Sequence, residues 1–213
     1  MTITLDNIIP AFLEKEKIDS SGIWNNRVVF NQGEQIHIVA SSGRGKTSFM
    51  HFLYGLRNEY TGNILLDTKK IQTMNAVELA ETRRSVNSII FQNLRLFTAN
   101  TVFDNINIKR LLNPFHGAER IQEMASRLGI ENKLYKPVST CSYGEQQRVA
   151  IIRALQQPFQ FLLMDEPFSN LDETNRKIAM ELIQEEVIKR KAGIILADLK
   201  KLDFFEASRI IYL

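Results

Sequence analysis

One cysteine, Cys141, in 213 residues leaves no partner for an intrachain disulfide and no Cys-rich metal site. Such a chain suits a reducing cytosol. Long apolar runs are missing as well. The densest, Phe161-Leu162-Leu163-Met164, stops at Asp165-Glu166, far short of the roughly 20 residues that span a bilayer. Met1 to Asp6 place no basic stretch ahead of an apolar one, so no signal peptide is expected. Charge of one sign is scarce: 27 Lys and Arg against 24 Asp and Glu give a formal +3, with no basic block. Nucleic acid is therefore not an expected partner. At most, the slight excess suits a position beside an anionic leaflet. Repeats, low-complexity tracts and flexible linkers are also lacking. What remains is a chain 44% hydrophobic, enough for one core or one core with a smaller subdomain. A soluble protein is expected, reaching a membrane only through a partner.

The most informative segment is Ala-Ser-Ser-Gly-Arg-Gly-Lys-Thr-Ser at 40–48, directly after Ile36-His37-Ile38-Val39. An apolar strand enters a Gly-rich turn and a helix leaves it. Backbone N–H groups of the turn and of the helix start then converge on one spot, where the macrodipole favours an anion. This is the pattern of a phosphate-binding loop, with Ser42, Gly43, Arg44, Gly45, Lys46, Thr47 and Ser48 as the nucleotide-binding candidates. Lys46 adds a charge for the outer phosphates, and the Thr47 hydroxyl suits Mg²⁺. The pattern's first glycine is Ala40 here; if that site needs positive φ, its Cβ costs on the order of 1–2 kcal/mol. A Gly/Ser turn with an incidental lysine is the simpler alternative. The arrival of strand, glycines, Lys, Thr and apolar helix in order outweighs it.

Short β-like runs (Thr2–Leu5, Val28–Phe30, Ile36–Ala40) precede a helix from Lys46 to Leu56, whose Phe49, Phe52, Leu53 and Leu56 should face the core. Ile64–Leu66 reads as a strand, Val77–Arg84 as a helix and Ser88–Phe91 as a buried strand. From about 93 to 158 helical patterns dominate: Val102–Leu112, Glu119–Leu128 and Tyr143–Gln157. Strands return at Phe161–Met164, Ile194–Ala197 and Ile210–Leu213, around a long helix at Glu173–Lys191 that Gly193 ends. On that helix Glu185/Lys189 and Glu186/Arg190 form i,i+4 pairs, read as a solvated face. Strands alternating with helices imply an α/β fold with a mostly parallel sheet and ligands at its carboxyl ends. Two carboxylates close the Phe161–Met164 strand. Asp165 is placed to hold Mg²⁺ through water, and Glu166 to polarise an attacking water. A plain Asp-Glu-Pro turn is the competing reading, and the phosphate loop weighs against it.

Further motifs carry a resemblance. Cys141-Ser142-Tyr143-Gly144-Glu145-Gln146-Gln147-Arg148, followed by Val149-Ala150-Ile151-Ile152-Arg153-Ala154-Leu155, resembles the signature helix of ABC-type ATPases. Ser169-Asn170-Leu171-Asp172 resembles that family's D-loop. Ile89-Ile90-Phe91-Gln92 resembles its Q-loop, and Thr101-Val102-Phe103-Asp104-Asn105-Ile106 the segment behind it. With the two nucleotide motifs, six occur in order across essentially the whole chain. The resemblance implies one ABC-type ATP-binding domain over 1–213. Its P-loop NTPase core would be 1–92 and 159–213, with an antiparallel β region at the N-terminus, and a helical subdomain at 93–158 would sit between Q-loop and signature. It implies ATP and Mg²⁺ as cofactors, with Thr47, Gln92 and Asp165 at the metal and Glu166 and Gln92 in hydrolysis. It also implies a head-to-tail dimer in which Ser142, Tyr143, Gly144, Glu145 and Asp172 meet the partner's ATP. Phe12 stands at the spacing of the adenine-stacking aromatic, where a core phenylalanine is an equal alternative.

The departures are specific. Cys141, Tyr143 and Glu145 replace the signature's leucine, first glycine and glutamine. Asp198 stands where the family has its switch histidine, and His37, His51 and His116 lie elsewhere. An ionised aspartate donates no hydrogen bond and repels a γ-phosphate, so slow or partner-dependent hydrolysis is expected. The resemblance implies an ATPase subunit on the cytoplasmic face of a membrane, driving a separate transmembrane permease subunit. Leu94, Leu96 and Phe97 are candidates for its docking groove or, equally, for subdomain core. The small exporter or lipoprotein-release pattern fits better than that of sugar importers, which add a C-terminal regulatory domain. The alternatives are a non-transport ABC-type ATPase, which usually carries coiled-coil insertions or tandem cassettes, and a weakly hydrolysing regulatory subunit.

Overall fold

A computed structural model describes all 213 residues. In chain order the elements are β1 (Thr2–Pro10), α1 (Lys15–Asp19), β2 (Arg27–Asn31), β3 (Gln35–Val39), α2 (Lys46–Leu53), β4 (Tyr60–Leu66) and β5 (Lys69–Lys70). Then come α3 (Ala76–Ser85), β6 (Asn87–Ile90), α4 (Val102–Leu112), α5 (Glu119–Arg127) and α6 (Tyr143–Ala154). The chain closes with β7 (Phe161–Asp165), α7 (Glu173–Arg190), β8 (Gly193–Asp198) and β9 (Arg209–Tyr212). Five strands make a wholly parallel sheet in the order β6-β7-β8-β3-β9. Four make an antiparallel sheet, β2-β1-β4-β5.

The central strands β7 and β8 read as nearly unbroken apolar runs because both faces are covered. Their period of two still divides the core. Phe161, Leu163, Ile195 and Ala197 join α2 and the antiparallel sheet in one cluster, where Trp24 and Phe30 pack edge-on against Phe49. Leu162, Met164, Ile194 and Leu196 face α4 to α7 in the other. The helical region between β6 and β7 thus has no core of its own: Val102, Ile106, Met124 and Val149 share theirs with the sheet.

Helix starts follow local chemistry. Asn75 with Glu78, and Ser142 with Glu145, form capping boxes, while Thr101 and Asp172 cap α4 and α7. Helix ends differ from expectation. α2 stops at Leu53, before Gly55 at φ +66°, so Leu56 is exposed instead of facing the core. The signature helix ends at Ala154; beyond it the Gln156 side chain donates back to the Ile152 carbonyl and that of Gln157 to the Arg83 carbonyl at the end of α3. Gly193 does not end α7. Lys191 does so in the left-handed conformation (φ +51°), and Gly193 opens β8. A Cβ there would sit 3.1 Å from the Glu34 carbonyl and 3.2 Å from the Phe161 ring.

The Glu186/Arg190 pair is not a solvated face either. Glu186 is fully buried and accepts bonds from His116 Nε2 (2.5 Å), Arg120 (2.9 Å), Lys189 (2.9 Å) and Arg190 (2.6 Å). Arg190 lies over the Phe115 ring at 3.6 Å and donates to the Leu155 carbonyl. This cluster ties α7 to α5 and to the end of α6. Glu185 reaches Arg127 rather than Lys189.

Candidate functional site

The carboxyl ends of β3, β7 and β8 align, with Val39 opposite Asp198 and Asp165 opposite Ala197. Beyond those ends lie the 40–48 loop, Asp165-Glu166 and Asp198. Gln92 follows β6 on the next strand over. The topology therefore gathers residues from across the whole sequence at one edge.

The loop geometry settles the question of Ala40. Ala40 has no positive φ and is buried in the core, so its Cβ costs nothing there. Gly43 (φ +79°) and Gly45 (φ +94°) are the left-handed positions. Gly45 opens α2, and a Cβ on it would meet Trp24 at 3.0 Å and Leu13 at 3.3 Å. Trp24 Nε1 donates to the Arg44 carbonyl, and the Arg44 side chain donates to Ser20 Oγ at 2.6 Å. Lys46 is buried. Its Nζ donates to the carbonyls of Ala40 (2.7 Å) and Ser41 (3.2 Å) and lies 3.5 Å from Glu166 Oε1. Ser42 is exposed and free of side-chain bonds, whereas Ser48 Oγ accepts from Arg57 at 3.3 Å.

Thr47 Oγ1 donates to Gln92 Oε1 at 3.2 Å, joining the loop to the end of β6. Gln92 is held in place from behind. Leu94 and Arg95 both adopt positive φ, and Arg153 on α6 donates to their carbonyls. Asp165 is 1% exposed, and its Oδ1 has no hydrogen-bond partner. Burial pushes its carboxyl up to about 6; the Thr47 hydroxyl opposes the shift and the Glu166 charge adds to it. A buried carboxylate oxygen left free, next to the Thr47 hydroxyl and the Gln92 carbonyl oxygen, is an all-oxygen donor set of the kind Mg²⁺ accepts. Glu166 sits at φ +47°, a strained conformation costing on the order of 1–3 kcal/mol. Asp198 turns its carboxylate onto its own chain, accepting from Leu199 N at 2.7 Å. Burial raises its pKa; that backbone bond opposes the shift and Glu166 adds to it.

Phe12 is not a core residue. It is half exposed, with Arg57 stacked 5.5 Å from its ring centre, and the adjoining Leu13 abuts Gly45. Ser142 and Tyr143 are exposed, and no hydrogen bond or ion pair joins residues 142–145 or Asp172 to the phosphate loop of the same chain. Glu145 folds back: its carboxylate accepts from Ser142 N at 2.7 Å and pairs with Lys133. The backbone bond from Ser142 lowers its pKa. It faces its own helix start rather than outward. Of the groove candidates, Leu94 is core, Leu96 packs against the core and Phe97 is exposed. Phe97 does line a groove of about 260 Å³ with Phe91, Arg95, Ile108 and Leu112. Sequence reasoning passed over Trp24 and Gln147, buried residues with one or more bonds into this site.

A family model described as "ABC transporter" matches residues 25–169. The chain belongs to the ABC transporter family. It is 36% identical over 157 residues to the lipoprotein-releasing system ATP-binding protein LolD of Buchnera aphidicola, covering 72% of this chain and 69% of that one. It is 34% identical to the phosphonates import ATP-binding protein PhnC of Rhizobium meliloti, over 81% of this chain and 65% of the relative's length. The fold matches the dimeric structure of MJ0796, a bacterial ABC transporter cassette, with a TM-score of 0.85 at 23% identity, covering 99% of this chain and 94% of that one. Members of the ABC transporter family are ATPases, and this ABC cassette is one of them.

Proposed function

We propose that this ATPase drives a membrane transporter by closing a head-to-tail dimer around ATP. The observation that carries the reading is a division of chemistry. Lys46, Thr47, Gln92, Asp165 and Glu166 stand together at one sheet edge, while Ser142 and Tyr143 are exposed and unconnected to that loop. A second copy supplies what one chain lacks: the N-terminus of its α6 faces the γ-phosphate, with Asp172 beside it.

In this reading the N–H groups of 42–48 and the Lys46 charge hold the phosphates, and Phe12 stacks on the base. Thr47, Gln92 and Asp165 would hold Mg²⁺, which would supply positive charge to offset that developing on the phosphates. Glu166 polarises the attacking water. Asp198 supplies no donor to the γ-phosphate when ionised, so hydrolysis by the cassette alone is slow. The groove beside Phe97 takes a cytoplasmic segment of a separate permease, so the protein sits peripherally on the cytoplasmic face. Cargo and direction rest with that permease. Relatives named for lipoprotein release and for phosphonate import match almost equally well.

The test is capture from membranes with Glu166→Gln protein and Mg-ATP. A multi-spanning membrane protein should co-purify in an ATP-dependent way. Recovery of the cassette alone, with or without ATP, would count against the transporter reading. A weakly hydrolysing regulatory subunit is the second reading, favoured by Asp198 and by the Tyr143 side chain at the dimer-facing helix start. Capture of a different, histidine-bearing cassette would support it.

A further inference from the structure

We propose that Gln147 is a positioning residue for ATP hydrolysis: its buried amide locks the backbone of Glu166 and Asn170 to the first turns of α6. Gln147 is 1% exposed. Its Oε1 accepts from the backbone N–H of Asn170 at 2.9 Å, and its Nε2 donates to the Glu166 carbonyl at 3.3 Å and approaches Ser169 Oγ at 3.5 Å. The Asn170 N–H is a donor only, which fixes the orientation of the amide.

The turn it holds is unusual. Glu166 lies at φ +47°, where a side chain is disfavoured, so the surrounding contacts must maintain it. Its own N–H donates to Ala197 O at 2.9 Å on the side of β8. Gln147 holds the carbonyl on the side of α6. A second contact joins the same two pieces: a Cβ on Gly144 would lie 2.9 Å from the Asn170 carbonyl. These contacts couple residues 142–147 to residues 166–170. A displacement of the α6 start is felt at the Glu166 carboxylate, and misplacing a reacting group by about 1 Å costs on the order of 100-fold in rate. The inference rests on the reading of Glu166 as the residue that polarises water.

The test is single-turnover hydrolysis of Mg-ATP by excess full-length protein, with ATP affinity measured separately. The variants are Gln147→Met, Gln147→Glu and Glu166→Gln. Gln147→Met should bind ATP within twofold of wild type and hydrolyse it at least tenfold more slowly. In Gln147→Glu the ionised carboxyl accepts from Asn170 but repels the Glu166 carbonyl, and the protonated form restores the donor. Its deficit should shrink relative to wild type as pH falls from 8 to 6, a response that a packing role does not produce. Hydrolysis by Gln147→Met within twofold of wild type would overturn the inference. So would parallel loss of affinity and rate in both Gln147 variants with no pH dependence. Equal hydrolysis by Glu166→Gln and wild type would instead overturn the reading of Glu166 on which the inference rests.

Discussion

Glu186 and Asp165 are both buried carboxylates, and burial alone pushes each toward the neutral acid. At Glu186 the bonds from Arg190, Lys189, His116 and Arg120 outweigh that push and hold the group at about 2. At Asp165 nothing comparable intervenes, one oxygen is unpartnered, and the group rises to about 6. Four partners saturate Glu186, which fastens α7 to the helical region. Asp165 keeps free coordination at the strand end where the phosphate loop arrives. The difference separates a structural charge from one kept available for a ligand.

Removing the saturated charge should have the largest effect. Glu186→Gln leaves the buried Arg190 and the half-buried Arg120 without their anion, and stability should fall by about 3–5 kcal/mol at neutral pH. Thermal and urea unfolding check this, with ATP affinity within twofold of wild type. The folded carboxyl lies below its ordinary value, so its contribution is present above about 4.5 and lost as pH falls toward 2. The variant's deficit should shrink over that window.

Asp165→Asn should move stability the other way. Its folded pKa lies above the ordinary 3.8, so ionisation penalises the fold increasingly as pH rises through about 6. At pH 8 the variant should be more stable by about 3 kcal/mol, and the gain should vanish near pH 4. Lower stability than wild type at pH 8 would dissolve the contrast with Glu186. The smallest expected effect is at Asp198. Asp198→His supplies a donor in place of a carboxylate, and ATP turnover should rise on the order of tenfold, about 1.4 kcal/mol of barrier. Equal turnover would count against the proposal that Asp198 slows hydrolysis.

Features carried by short local patterns were legible in the sequence. The phosphate loop, the apolar strand ending in Asp165-Glu166, and the helix that begins at Tyr143 all rest on neighbours within a few positions. What escaped depended on distant contacts. Glu186 and Arg190 have the spacing of a surface pair, and only the packing of α5 and Phe115 on α7 buries them. Gly193 follows a long helix like a terminator, yet its reason is the approach of Glu34 and Phe161 in the sheet. The cost assigned to Ala40 assumed a conformation that the chain adopts at Gly43 and Gly45 instead. Gln147 carries no charge and lies inside a motif read for its first residues, so nothing local marked it.

The proposed dimer requires that one chain hold half of each ATP site. Sedimentation of Glu166→Gln protein with and without Mg-ATP tests it most directly. A monomer is expected without nucleotide and a dimer with it, and a monomer under both conditions once Ser142→Arg is added. A monomer that binds Mg-ATP tightly, or a dimer indifferent to both nucleotide and Ser142→Arg, would contradict it.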